Sequence, residues 1–577
     1  MASHRRFAML AGGASCAAAL AVLAINGTPR TPAHEASVAM TDQSSVKAPS
    51  AVGPRPPIGR ARPSGQQAYL GSAAVTKAAT GAASPWTPLE NPPPFGTPGT
   101  MLLESDGTVL VHDEPDNNIT AGSNAWWKLT PAANGSYADG TWSQIASMSS
   151  SYTPLYFASA ILPDGRMIVE GGEYIGENDA WSNQGAIYNP VTNSWKSVAP
   201  PPGWTNIGDA ASDVLANGTF MLQQSCQTCL TDPDLSVADA QLNAKTLKWR
   251  IIPAVGKNDP NDEEGWTLEP NGQLLTVDTW APGQTQAFNP RTGTWSFTGG
   301  TAVNGDPLNP FPVVEIGPQV ELPGGDTFVV GAGSSTQQAP TPCTTDADTQ
   351  TALYQYKPGT AGTWTAGPEI PPIGGQEYDS ADGPGSILPD GNVLFDASAC
   401  VYNTPMHFFL YNASTNTITQ VPDVPNAPND SSYYTRMLAL PNGQVLFNDG
   451  SSQMEVYTAG GTPKPSWAPS ITSLSSRYLV PGRTYHLSGR QLAGLDQGAA
   501  YGDDAQDNTN FPLVRITNSA TGTVTYARTS DWTSVSVAPG AWSATRFTLP
   551  PHTPAGKSTL VVVANGIASP PVTVTIP

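Results

Sequence analysis

From residue 86 onward, apolar and polar positions alternate with a period of two, in short runs broken by Gly, Pro, Asn and Asp. Such runs are strands that bury one face. The order is clearest in FASAILPDGRMIVEGG (157–172), GAIYNPVTNSW (185–195) and WTLEPNGQLLTVD (266–278). Each unit runs apolar strand, Asp-Gly or Asn-Gly turn, apolar strand, tyrosine strand, tryptophan strand.

The turn glycines are Gly107, Gly165, Gly218, Gly272, Gly325, Gly391 and Gly443, spaced 52 to 66 residues apart. Seven units at roughly 50 residues is the period of a kelch-type propeller. Glycine at these turns supplies the positive φ of a tight two-residue hairpin. Trp142, Trp195, Trp249, Trp295 and Trp364 hold the fourth-strand place, and Ile418 substitutes in the sixth unit. The seventh unit ends at Tyr457 with no tryptophan strand of its own. Trp86, ahead of the first unit, has the residue type and spacing to supply it, which would close the ring and leave no open edge. After residue 464 the repeat stops, and alternating strands run from ITSLSSRYLV to the C-terminus, as in an immunoglobulin-like sandwich. The expected fold is therefore all-β: a seven-bladed kelch-type β-propeller over 86–464, then an immunoglobulin-like β-sandwich over 465–577.

Ahead of these lie two segments of different character. Residues 1–33 carry His4, Arg5 and Arg6 before an apolar run from Phe7 to Ile25, which reads as a cleaved export signal or a retained membrane anchor. Residues 34–85, rich in Pro, Ala, Ser and Gly, read as a linker unable to order itself. An exported chain meets an oxidising compartment, so the four cysteines beyond the signal are expected in disulfides, Cys226 with Cys229 and Cys343 with Cys400. A redox role for Cys226 and Cys229 is the alternative.

Composition narrows the function classes. With 26 Lys and Arg against 46 Asp and Glu, the net charge is −20 and no basic cluster offsets it after the first residues. Nucleic acid is thereby excluded as a natural partner. Only 12% of residues are charged, while Gly 56 and Pro 57 suit many turns and leave little room for long helices. The chain is expected to be secreted or displayed at the cell surface as a monomer, touching membrane only through an uncleaved N-terminal anchor.

The export segment, the seven kelch units and a C-terminal domain containing GLDQGAAYGDDAQDNTNFPLVRI (494–516) and LVVVANGIAS (560–569) together resemble the galactose oxidase and glyoxal oxidase group, whose last domain is the early-set type. The resemblance implies a single-copper radical oxidase that converts an alcohol or aldehyde to its oxidised product and hydrogen peroxide. It places Tyr156 at the radical tyrosine, Tyr174 near the stacking aromatic, and Tyr433 at the second tyrosine. The cross-linking cysteine falls at Thr97, the first histidine at Tyr434 and the last at Ser530 or Asp531. Without the cysteine and both imidazoles, the pattern argues against copper, since oxygen donors hold it poorly. The leading reading is a galactose-oxidase-like protein without copper-radical chemistry that binds carbohydrate or a cell-surface glycan.

A second candidate site comes from the repeat itself. The residue nine before each turn glycine leads into the innermost strand: Pro98, Tyr156, Asp209, Glu263, Ile316, Asp382 and Tyr434, with Glu315 one step before Ile316. Gly324-Gly325-Asp326 replaces Asp-Gly in unit five, and a one-residue shift there would bring Glu315 into line. Converging carboxylates repel unless a cation or shared protons compensate. Asp209, Glu263, Glu315 and Asp382 are thus candidate ligands for calcium, magnesium or manganese. With Tyr156 and Tyr433, Asp209, Glu263 and Asp382 are equally candidates for acid–base work in a hydrolase or lyase. They would instead be structural if they cap strands and face a solvated channel. Trp126, Trp127 and Trp181 either stack on sugars or pack between blades. Asp503 and Asp504 belong to a calcium loop or, more simply, a structural one.

Overall fold

A computed structural model describes residues 84–577 except 115–120, 226–236, 261–262, 302–307, 309–314, 334–349, 359–361, 400 and 503–506. The expected signal or anchor, nearly all of the linker, all four disulfide cysteines, and Asp503 and Asp504 lie outside the described residues.

Seven antiparallel sheets, each built on four strands, follow one another along the chain. Their first strands are Thr97–Leu103, Ala158–Ile161, Ser212–Val214, Thr267–Leu268, Gln319–Glu321, Gly385–Ile387 and Arg436–Ala439. First strands of neighbouring blades touch around the ring, blades seven and one included, and blades three and four share an apolar cluster that holds Leu215 and Leu268. The all-β propeller that the pattern predicted is the observed fold. Blade seven is completed by the strand Trp86–Pro88, which pairs antiparallel with Glu455–Thr458 and sets Trp86 opposite Tyr457.

The tryptophan repeat has a physical reason. The indole of Trp195 donates to the Ala146 carbonyl at 2.7 Å, Trp249 to Ala199 at 2.7 Å, Trp142 to Asn91 at 2.9 Å and Trp86 to Pro422 at 2.6 Å. Each acceptor lies just beyond the outer strand of the preceding blade. One side chain thus fills the gap between blades with apolar area and satisfies its own N–H on a neighbour's backbone.

The turns differ from the expected two-residue hairpins. Glu104 N donates to Thr108 O while Gly107 N donates to Glu104 O, so the loop has three residues and glycine takes the left-handed place, with φ of 76–90° at all seven turns. In six turns the Asp or Asn before that glycine accepts the N–H two residues on, as Asn271 does from Gln273 at 2.8 Å. Unit five has Gly324 instead, yet Leu322 and Asp326 close the same loop around Gly325. No register shift occurs there.

These turns meet the C-terminal domain. Its eight strands form one curled sheet, joined where Val524–Ser530 pairs with both Leu513–Asn518 and Trp542–Thr548, over a core including Leu487, Val514, Phe547 and Val562. A second apolar cluster runs without a break from blades one to three into Phe511, Tyr526, Trp532 and Val563, so the two domains share buried surface. From this domain a finger, residues 494–502, enters the propeller channel. Ala499 and Ala500 pair with Ser386 and Gly385 on the innermost strand of blade six, adding a strand to it.

Ring closure by one short strand gives a direct prediction. Trp86 is buried against Phe408, Phe447 and Tyr457, with ring centroids 4.6–5.6 Å away. Trp86→Ala should lower the unfolding free energy by about 3–5 kcal/mol in guanidinium titrations. A loss under about 1 kcal/mol would show that this strand does not hold the ring.

Candidate functional site

At the end of the first strands opposite the turns, the residues nine before the turn glycines of blades two, four and six lead into those strands. Tyr156, Glu263 and Asp382 do so with φ of 51°, 58° and 49°. Side chains other than glycine rarely adopt this left-handed backbone, which costs of order 1–3 kcal/mol and persists where the surroundings over-determine it.

Three of the four carboxylates singled out as metal ligands converge. Glu263 of blade four, Glu315 of blade five and Asp382 of blade six each bring an oxygen within 4.8 Å of the others, and all three are buried. Tyr402 donates its hydroxyl to Glu315 Oε1 at 2.6 Å, and Asp382 N donates to the Ile316 carbonyl at 3.1 Å, tying the loops of blades five and six. Glu315 reaches the cluster through this lead-in, since the turn below it keeps its register. Asp209 is buried in blade three beside Gly208, against which the Trp181 ring packs, and is not a member of the triad.

The finger forms one wall. A Cβ on Gly502 would lie 2.7 Å from the Ile316 carbonyl and 3.1 Å from Asp382 Oδ1, and one on Gly265 would lie 2.3 Å from the Gly502 carbonyl. Only glycine lets the two backbones pass this close. Tyr501 donates to the Tyr433 carbonyl, and the Arg436 guanidinium stacks on the Tyr501 ring at 3.8 Å.

The remaining sequence candidates scatter. The Tyr156 and Tyr174 rings meet edge-on at 6.2 Å rather than stacked. Tyr433 is buried, whereas Tyr434 turns back so that its hydroxyl accepts from Ser431 N at 2.8 Å. Thr97 is buried in the first strand of blade one. Asp531 is about half exposed and pairs with Arg546 at 3.3 Å; the C-terminal residues that reach the axis are those of the finger. Trp126 is fully buried between blades one and two, and Trp127 stacks on Phe95 at 5.1 Å.

A second acidic group was not anticipated. Lys257, fully buried, places Nζ 2.5 Å from Asp259, 2.7 Å from Glu264 and 3.8 Å from Asp278. Burial alone would push the lysine pKa down, but the three carboxylates outweigh it and hold it above the usual lysine range. Glu264 is raised by burial, with Lys257 opposing. Adjacent residues of one acidic run thus serve two sites: Glu264 meets an ammonium, Glu263 the axial triad. The lone lysine ahead of the run DEE, at 262–264, was the available signal.

Among the described residues the axial donors are all oxygen, a set that holds copper poorly. His112 contacts the Ser123 carbonyl at 3.0 Å, His407 contacts Asp423 at 2.7 Å, and His486 and His552 are exposed. A hard cation fits them, because carboxylate oxygens at this spacing suit calcium, magnesium or manganese.

Fold and site together define a kelch-type propeller whose channel is filled from the C-terminal domain and carries buried carboxylates at its mouth. The propeller followed by a β domain is the fold that the resemblance to the galactose oxidase and glyoxal oxidase group implied; the filled channel and its carboxylates go beyond it. No family model and no curated protein matches the sequence. Among solved structures, the chain is similar to a fungal alcohol oxidase of the AA5 family in complex with copper, at 13% identity and TM-score 0.49, covering 85% of this chain and 98% of that one. It is also similar to YjhT, at 15% identity and TM-score 0.35, covering 65% and 98%. A third is the extracellular domain of the putative hybrid two-component system BT4673 from B. thetaiotaomicron, at 11% identity and TM-score 0.40, covering 83% and 57%.

The lysine site is directly testable. Lys257→Met leaves three buried carboxylates without their cation, at a cost of about 3–5 kcal/mol near pH 8. Burial already raises Glu264 and Asp278 with Lys257 opposing, and without the lysine these two would stand further above their unfolded values, so the deficit should shrink as pH falls toward about 4. Equal deficits at pH 5 and pH 8 in denaturant titrations would contradict the assignment.

Proposed function

We propose that the chain is an exported, galactose-oxidase-like propeller protein without copper-radical chemistry, which holds a hard divalent cation at Glu263, Glu315 and Asp382 and uses it to bind carbohydrate outside the cytoplasm. The observation that carries this reading is the convergence of three buried carboxylate oxygens, from three successive blades, within 4.8 Å. In a protein with 20 more acids than bases, converging carboxylates repel one another, and a calcium-sized ion would offset that repulsion directly. Calcium takes six to eight oxygen ligands, so three carboxylates leave positions open for water or for adjacent sugar hydroxyls. The finger fills the channel beside Asp382, so a glycan would approach from the mouth. Arg5, Arg6 and the apolar run from Phe7 to Ile25 support export.

Incubating the purified protein with calcium, magnesium, manganese and copper, then desalting and counting retained metal, tests the site. The expected result is about one hard cation and no copper per chain. Glu263→Gln and Asp382→Asn should weaken retention at least about tenfold. Glycan-array binding should need that cation and vanish with chelator. Stoichiometric copper, or glycan binding indifferent to chelator, would sink the reading.

A further inference from the structure

Deeper in the channel, where the finger leaves the C-terminal domain, a third acidic group lies between the two domains. It comprises Asp213 of blade three, Glu269 of blade four, Glu321 of blade five and Asp496 of the finger, all buried. Both Glu321 oxygens and Glu269 Oε2 are buried with no hydrogen-bond partner among the described residues. The other contacts are neutral. Gln497 donates to Asp213 at 2.9 and 3.1 Å and accepts from Leu268 N at 2.6 Å; Asn508 donates to Asp213 at 3.2 Å; Thr327 donates to Glu269 at 2.8 Å; Asn565 donates to Asp496.

Among the described residues, no lysine or arginine acts on these four. The ionisable neighbours are Asp326 beside Glu269, Tyr354 near Glu269, and Tyr356 near Glu269 and Glu321. Across the finger, Arg436 acts instead on Asp396 and Asp507. Nor do three of the four oxygens gather closely enough for one metal ion, as they do in the axial triad and around Lys257. Buried carboxyls without cation or metal are tolerated as neutral acids.

We propose that Asp213, Glu269, Glu321 and Asp496 form a proton-held latch that seats the C-terminal finger in the propeller channel and releases it when they ionise. Two of the acids belong to strands that line the channel, one to the turn at the end of such a strand, and the fourth to the finger. Ionisation therefore sets like charges against each other across the interface that the finger must cross. Gln497, bonded to both blades three and four, aligns the finger while the acids are neutral.

The direction is fixed by burial, which raises Asp213 and Asp496 to about 7, Glu269 to about 8, and Glu321 well above the usual range with help from Glu269, Asp496 and Asp213. With the finger withdrawn, water reaches these groups and lowers them toward the ordinary carboxylate value of about 4. Seating is thus strongest at acid pH and weakens as pH rises from about 4 through 7–8, the released protons passing to solvent. Each carboxyl that still holds its proton when seated raises the opening constant about tenfold per pH unit.

Hydrogen exchange of the intact protein, followed from pH 5 to pH 8 with chelator present, reads the latch without involving the axial cation. The expected result is that amides of 494–502, corrected for intrinsic exchange, lose protection steeply while those of the strand Thr484–Arg490 do not. Glu269→Gln with Glu321→Gln should flatten that slope by about a hundredfold per pH unit, because two of the four protons no longer take part. Finger protection that is constant across this range in the unmodified protein would overturn the latch, whether or not the variant folds. So would an unchanged slope in a folded variant, or a slope abolished by adding calcium, which would make the pocket a cation site.

Discussion

A ring of seven sheets is only as stable as its weakest blade interface, and here one interaction recurs to make those interfaces. An indole fills the gap between blades, and its N–H bonds the backbone that leaves the outer strand of the blade before, as with Trp195 to Ala146 and Trp249 to Ala199. The last clasp is made by Trp86, which reaches Pro422 from a strand 336 residues away in sequence. Closing the ring in this way fixes the inner strands around a common channel. The proposed cation site depends on what then meets there.

Three buried acidic groups stand among the blades, in a chain with few cations to spare. The three buried groups differ in how charge is managed, and geometry decides which solution each adopts. Around Lys257 the carboxylates stand close enough for one ammonium to touch two of them. The axial triad brings three oxygens to one point, the arrangement a hard cation requires. Beneath the finger the acids are spread over two domains and meet amides and a hydroxyl, which suits neutral carboxyls.

The C-terminal domain connects these groups. Its finger adds Ala499 and Ala500 to blade six, lays Gly502 against Asp382, and carries Asp496 into the interdomain acids. A movement at its base would therefore be felt at the channel mouth. The glycines at both levels are dictated by contact: a Cβ on Gly498 would stand 2.0 Å from Thr509 Oγ1, and one on Gly107 would strike the Tyr526 ring. Domain docking and turn geometry thus select the same residue at several places.

The repeat, its turn glycines, the tryptophan strands and the completion of blade seven by Trp86 were legible in the sequence, because local periodicity and turn chemistry repeat whenever a structural unit repeats. The same counting selected Glu263, Glu315 and Asp382, since position within a repeat fixes height along the axis. It overreached at Asp209, which occupies the equivalent position but stays outside the triad. It also gave the wrong reason for Glu315, which needs no register shift. Lys257, the finger and the interdomain acids were not legible, since each joins residues far apart in the chain: Gln497 meets Asp213 across 284 positions. Sequence alone determined the repeat and which positions are equivalent within it; only the tertiary structure decided which of those side chains meet, because they converge through the packing of separate blades and domains, and no local pattern encodes that distance.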